Sequence, residues 1–141
     1  VPTSHPIHLV TLPDAYGAPL AEYYFYPQDA LLYIRWHGQL TANEVIRGAM
    51  EAGHWMTLYP YQLVMNDKRD SGGDWSDALP WLQYEWLPKA VKTNVRAMAY
   101  ILSPDLHAQI VSRRFVDVVQ EQFPVALFLS ETEAWSWLQT Q

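Results

Sequence analysis

From Leu31 to the C-terminus, apolar runs of strand length alternate with capped, amphipathic stretches of helix length, and this order restricts the chain to an α/β fold. Leu31–Trp36, Tyr61–Met65, Val95–Leu102 and Val125–Leu129 read as strands, the third so uniformly apolar that both its faces must be covered. Thr41-Ala42-Asn43-Glu44 has capping-box spacing: the Thr hydroxyl accepts from the third helical amide while the Glu carboxylate reaches back. At about 100° per residue, Ala42, Val45, Ile46, Ala49, Met50, Ala52 and Met56 share one stripe, with Arg47, Glu51 and His54 opposite. The spacing therefore predicts an amphipathic helix over 42–58, stopped by Pro60.

A second helix is expected from Asp77 toward Leu87, where Pro88 ends or kinks it. Ser103-Pro104 reads as an N-cap with proline at the first helical position, opening a third helix to Phe123 with Val111, Phe115, Val118, Val119 and Phe123 inward. Ser130-Glu131-Thr132-Glu133 repeats the capping box before a short last helix carrying Ala134, Trp135 and Leu138.

Upstream, Pro2, Pro6, Pro13, Pro19 and Gly17 make residues 1–20 an irregular arm with one short strand near His8–Leu12. Glu22–Tyr26 and Leu31–Trp36 flank Pro27-Gln28-Asp29 and form the natural hairpin. Gly38 lies between a strand end and the Thr41 cap, where a positive φ is expected. The whole is one domain, 1–141: an N-terminal antiparallel set followed by αβαβαβα, with a mixed sheet and helices mainly on one side.

Composition removes several classes of function. With no cysteine there are no disulfides, thiolate metal sites or cysteine nucleophiles. A net charge of −6 with nine scattered basic residues gives no clustered basic face, so nucleic acid is not an expected partner. No apolar run approaches the roughly 18 residues of a membrane span. Val1-Pro2-Thr3-Ser4-His5 lacks the basic segment and apolar core of a secretory signal, so a cytoplasmic location is the expectation.

Trp36-His37-Gly38-Gln39-Leu40-Thr41 closing a hairpin strand, a strand ending in Asn66-Asp67, and the terminal Leu127-Phe128-Leu129-Ser130 and Ala134-Trp135-Ser136-Trp137-Leu138 together resemble STAS-like proteins. The resemblance covers residues 22–138. More narrowly, the chain looks like a stand-alone bacterial subgroup related to the sporulation anti-sigma-factor antagonist. It implies a four-helix α/β domain that binds proteins or small ligands without enzymatic activity. Antagonists of that kind carry an Asp-Ser-Ser-Gly motif phosphorylated on serine. Asp70-Ser71-Gly72-Gly73 occupies a comparable loop, here read as Lys68–Trp75, with Gly72 in place of the usual acceptor. Ser71 is then the residue that would take phosphate, whose roughly two negative charges favour a helix N-terminus; a plain flexible turn is the simpler alternative.

Other motifs fall short of chemistry. Asp70-Ser71-Gly72-Gly73 also echoes the nucleophile segment of trypsin-like proteases, but the flanking glycine and proline are missing and the strand–helix order is wrong for two barrels. Asp67, Asp70, Asp74 and Asp77 form an acidic cluster that fails the EF-hand pattern at Arg69 and Ala78, and reads as solvated loop carboxylates balanced by Lys68 and Arg69. His5 and His8 point to opposite faces of an extended arm, His37 beside Gly38 suits a loop role, His54 reads as a solvated histidine beside Arg47 and Glu51, and His107 has no assignable partner. Neither a metal nor a cofactor is expected, and nothing in the sequence supports an enzyme.

Aromatic residues are in excess, at 14% of the chain with seven Trp and nine Tyr. Trp75, Trp81, Tyr84 and Trp86 crowd one loop and helix, which suits a binding surface or an aromatic-lined pocket. On the second helix, Ala78, Leu79, Leu82 and Trp86 form one stripe, expected to meet the sheet. Trp81, Tyr84 and Leu87 form another, expected to meet a second subunit or a ligand unless the arm folds over it. The expectation is a non-enzymatic regulatory or protein-interaction module, working with a protein partner or as a homodimer. The alternative is a carrier of a small apolar ligand or lipid in an aromatic-lined pocket beside the second helix.

Overall fold

In the computed structural model, which describes residues 1–141, the alternation becomes a single six-stranded sheet in the order β1-β2-β3-β4-β5-β6. The strands are β1 (Ile7–Pro13), β2 (Pro19–Tyr26), β3 (Leu31–Gln39), β4 (Leu63–Gly72), β5 (Ala97–Ile101) and β6 (Val125–Phe128). Helix α1 (Ala42–Met56) joins β3 to β4, a composite helix α2 (residues 76–92) joins β4 to β5, α3 (Leu106–Val119) joins β5 to β6, and α4 (Glu131–Leu138) ends the fold. β1, β2 and β3 are antiparallel neighbours, while β3 through β6 run parallel. The fold is therefore α/β with a mixed sheet. No helix is long and apolar enough to cross a membrane.

Topology decides where the helices go. Each parallel connection moves one strand further in the same direction, and right-handed crossovers that all advance the same way place their helices on the same face. The larger core forms on that face, joining Leu32, Ile34 and Trp36 of β3, Val64 of β4 and Met98 and Tyr100 of β5 to Val45 and Ala52 of α1, Leu82 of α2 and Phe115 of α3. The alternate residues Leu31, Tyr33, Leu63, Met65, Ala97, Ala99 and Ile101 meet Ala134 and Leu138 of α4 on the opposite face.

Local signals hold at several ends. The Thr41–Glu44 capping box is complete, and Ser130 Oγ accepts from the Glu133 amide at 3.3 Å. Pro27–Asp29 form a short 3₁₀ turn between β2 and β3, with Ala30 left-handed at φ 48°. Gly38 has φ 79°.

Elsewhere the tertiary context overrides the local reading. The short strand expected near His8–Leu12 is present as β1, but it is an integral edge of the sheet rather than part of a loose arm, pairing along β2 with Pro13 and Pro19 at the strand ends, where prolines are tolerated. The arm therefore does not cover α2. Lys68–Gly72 is not loop but the second half of β4, because β3 runs on to Gln39 and pairs His37, Gly38 and Gln39 with Asp70, Ser71 and Gly72. Asp105, rather than Ser103, caps α3, its carboxylate accepting from the His107 amide, and α3 stops at Val119. Met50, at the margin of its stripe, is 61% exposed.

Helix α2 departs furthest from expectation. It opens as a 3₁₀ turn (Ser76–Ala78), continues α-helical over Leu79–Trp81, widens to a π-turn over Leu82–Trp86 and returns to α-helix over Leu87–Lys92. Pro88 neither ends nor breaks it. Proline has no amide hydrogen to give one turn back, and just before it the Leu87 amide donates to the Leu82 carbonyl, five residues earlier. The wider ring accommodates the proline, as π-bulges do within otherwise regular helices.

Candidate functional site

Small residues on α1 leave room beneath the helix. Gly48, Ala49 and Ala52 face β3 and α2, and a Cβ added at Gly48 would stand 2.2 Å from the Trp36 ring. Glycine at that position is what lets the indole lie under the helix. Beside it runs a cleft between α1 and α2, floored by Ile34, Trp36, Val64, Asn66 and Lys68 of the sheet and walled by Trp75, Leu82, Trp86 and Phe115. Its cavity volume is about 50 Å³.

Lys68 lies at the floor, 2% exposed. Its Nζ stands 4.1 Å from the Trp75 ring centre, 4.6 Å from that of Trp36 and 5.9 Å from that of Tyr100. No carboxylate faces it. Burial alone lowers its pKa from 10.5 to about 7, because an ammonium without water or counterion is costly. The three ring faces favour the charged form, by about 2 kcal/mol at a desolvated site, so the cage holds a cation that the rest of the cleft disfavours.

Most other polar groups around the cleft are committed. Trp36 Nε1 donates to Asn66 Oδ1 at 2.6 Å, which fixes the oxygen end of that amide. The Tyr23 hydroxyl donates to the Gly48 carbonyl at 2.7 Å and the Tyr61 hydroxyl to the Ala52 carbonyl at 2.8 Å. Ser112 Oγ donates to the Tyr100 hydroxyl at 2.8 Å. Trp75, 1% exposed, is the exception: its Nε1 has no acceptor.

The four aromatic residues expected to form one binding feature are divided. Trp75 and Trp86 line the cleft, and both rings pack on Phe115, at 6.1 and 5.7 Å between centres. Trp81 is half-buried against the core, and Tyr84 is 69% exposed on the far side of α2, bordering a surface groove with Val118. Ser71 is buried in β4: its hydroxyl donates to the Lys68 carbonyl at 3.0 Å, and its carbonyl accepts from Ser103 Oγ. A phosphate there would have to open the end of β4, so the exposed phosphoacceptor loop expected from the sequence is corrected to a closed strand.

The acidic cluster is also rearranged. Asp67 is fully buried on the opposite face, accepting from the Tyr33 hydroxyl at 2.5 Å and from Arg69 at 2.6 Å. Burial works to raise its pKa, but the bonds from Arg69 and Tyr33 outweigh it and hold the carboxylate below its ordinary value. Arg69 also reaches Glu131 at 3.1 Å, Arg35 holds Asp70 at 2.5 Å, and His37 meets Glu22 at 2.6 Å. Lys68 takes no part in this network. It is separated from its sequence neighbours because successive strand residues point to opposite faces. The register slip between Arg35 and His37 inserts one extra residue into β4 just beyond it, a local bulge of the kind that often borders functional sites.

Lys68, Asn66 and Trp36 were not among the candidate binding residues read from the sequence. The signal was present in the period-two series Val64, Asn66, Lys68, whose first member is an ordinary core residue, but it is legible only once β4 is known to continue. In comparisons with known proteins, no family model, no curated protein and no solved structure matches this chain.

Proposed function

We propose that this chain is a STAS-like, non-catalytic binding module whose ligand is a small, largely apolar molecule seated between α1 and α2. The observation that carries the reading is the apolar cleft itself, open at its mouth and walled by Trp75 and Trp86, in a domain small enough to close its core completely. The cover over it is the π-turn of α2, the least regular helical segment of the fold. The absence of a proton-relay partner beside Lys68 favours binding over catalysis, since general acid–base work needs positioned groups within hydrogen-bond reach. The cavity, about 50 Å³, is well below the roughly 150 Å³ that accepts benzene. A ligand's body must therefore part α1 from α2 to enter, and a long lipid chain is disfavoured.

Thermal melts with small aromatic and branched aliphatic compounds test this. Wild type is expected to gain stability with at least one of them, by mass action, and Ala49→Trp, which fills the mouth, is expected to lose that gain while keeping its fold. A melting temperature unmoved across the whole panel would contradict the proposal.

A second reading, a protein-interaction module acting as a homodimer, is favoured by the exposure of Tyr84 at 69% and Val91 at 40% along α2. Sedimentation of wild type and Tyr84→Ala separates the two readings: an interface there gives a dimer that the substitution weakens.

A further inference from the structure

Three donors at the cleft have no acceptor within the protein. Lys68 Nζ rests only on aromatic faces, Asn66 is bonded only through its oxygen, and Trp75 Nε1 is fully buried without a partner. An ammonium and an indole N–H can only donate. Leaving such a buried donor unpaired costs about 1–3 kcal/mol, and native interiors rarely do so. The neighbouring tyrosines and Trp36 all have their bonds, so the deficit is local to Lys68, Asn66 and Trp75. Lys68 Nζ lies 4.1 Å from the Trp75 ring centre, over its face, while the indole N–H points outward in the plane of that ring. No Asp or Glu lines the cleft to balance the lysine.

What is missing is an acceptor, and a negatively charged one. A water in the cavity could accept from two donors but would not neutralise the ammonium. A phosphate dianion brings more acceptor oxygens and more charge than these donors can satisfy. A carboxylate has the matching charge and two oxygens, small enough for the cavity. Leu82, Trp86 and Ala49 line the same cleft and offer an apolar seat.

Resting on the binding reading above, we propose that the ligand is a small organic carboxylate with an apolar body, its head held between Lys68 Nζ and Trp75 Nε1 and its body between α1 and α2. The charged groups around the lysine make the pH dependence simple. The residues lining the cleft from α1 (Val45, Gly48, Ala49, Ala52), α2 (Leu82, Trp86) and α3 (Phe115) carry no charge. The titratable neighbours are Tyr61 at the floor and Tyr100 beside Nζ, both pushed above the ordinary phenol value by burial. Loss of affinity at mildly alkaline pH thus belongs to Lys68, with its midpoint near 7 in the free protein.

Calorimetric titration with 3-phenylpropionate and its neutral counterpart 3-phenylpropan-1-ol tests the proposal on wild type, Lys68→Met and Trp75→Phe. At about pH 6 the acid is expected to bind wild type at least about tenfold more tightly than the alcohol, and by about pH 8.5 to weaken about thirtyfold as Lys68 loses its proton. Lys68→Met, which keeps the volume and removes the charge, is expected to bind the alcohol as before and lose the preference for the acid. Trp75→Phe is expected to keep the fold and reduce that preference. Equal binding of acid and alcohol by wild type, or undiminished acid binding by Lys68→Met, would overturn the carboxylate assignment while leaving the apolar cleft as a site. Binding of neither compound overturns both.

Discussion

Lys68 is an ammonium group that folding strips of water, and its energetics can be followed through pH. Its folded pKa, about 7, lies below the ordinary 10.5 of the unfolded chain. Between these values the unfolded state binds more protons than the folded state, so stability rises with pH across that window, by up to about 1.4 kcal/mol per unit. Below pH 7 the full cost is present in the folded protein. Above about pH 10 the buried tyrosines Tyr23, Tyr61 and Tyr100, whose phenols burial holds protonated, reverse the slope. Urea denaturation of wild type should therefore show a midpoint that climbs from pH 7 to 9.5, and Lys68→Met should be a few kcal/mol more stable at pH 7 with no such climb. A flat wild-type profile would mean that the lysine is solvated. Gly38 offers a second check on backbone alone: at φ 79° with open space around a Cβ, Gly38→Ala is expected to cost about 1 kcal/mol through the strained φ and nothing through clashes.

At the scale of elements, α2 carries the contrast that best separates packing from exposure. Leu82 is buried beneath the π-turn and Tyr84, two residues on, is exposed. Leu82→Ala is expected to cost about 2–4 kcal/mol, from lost burial plus the cavity left behind, whereas Tyr84→Ala should fall within about 0.5 kcal/mol; denaturation midpoints of the two variants check this directly. The inward Leu82/Trp86 stripe and the exposure of Tyr84 were legible from the spacing of apolar residues, as were the Thr41 and Ser130 caps, because those features depend on neighbours one turn away; Leu87 and Trp81, placed on the outer stripe, instead join or pack against the core. The extent of β4 was not. Asn66-Asp67-Lys68-Arg69-Asp70-Ser71 has no apolar alternation and ends in Gly72-Gly73, so it reads as a turn. It forms a strand because β3 offers it a parallel partner and because Arg69 and Arg35 satisfy Asp67 and Asp70 on one face. The passage of α2 through Pro88 was equally hidden, since the π-turn that admits it depends on packing over the sheet rather than on local preference. Losing β4 as a strand meant losing Lys68 as a core residue.

The whole molecule places its most irregular cover over its least complete core. Three crossovers laid side by side put α1, α2 and α3 on one face, and the gap between the first two opens where α1 is trimmed to Gly48, Ala49 and Ala52. The opposite face, closed by α4, binds its charges in a network of Tyr33, Asp67, Arg69 and Glu131. One face is thus saturated with partners while the other keeps a caged cation and an unpaired indole N–H. The measurement that tests this account most directly is methyl-resolved NMR of the full chain with 3-phenylpropionate at mildly acid pH. Nuclear Overhauser contacts from the phenyl protons to the methyl groups of Ala49, Ala52 and Leu82 are the predicted result. Contacts confined to exposed residues such as Leu106, Ile110 and Val91, or none at all, would contradict it.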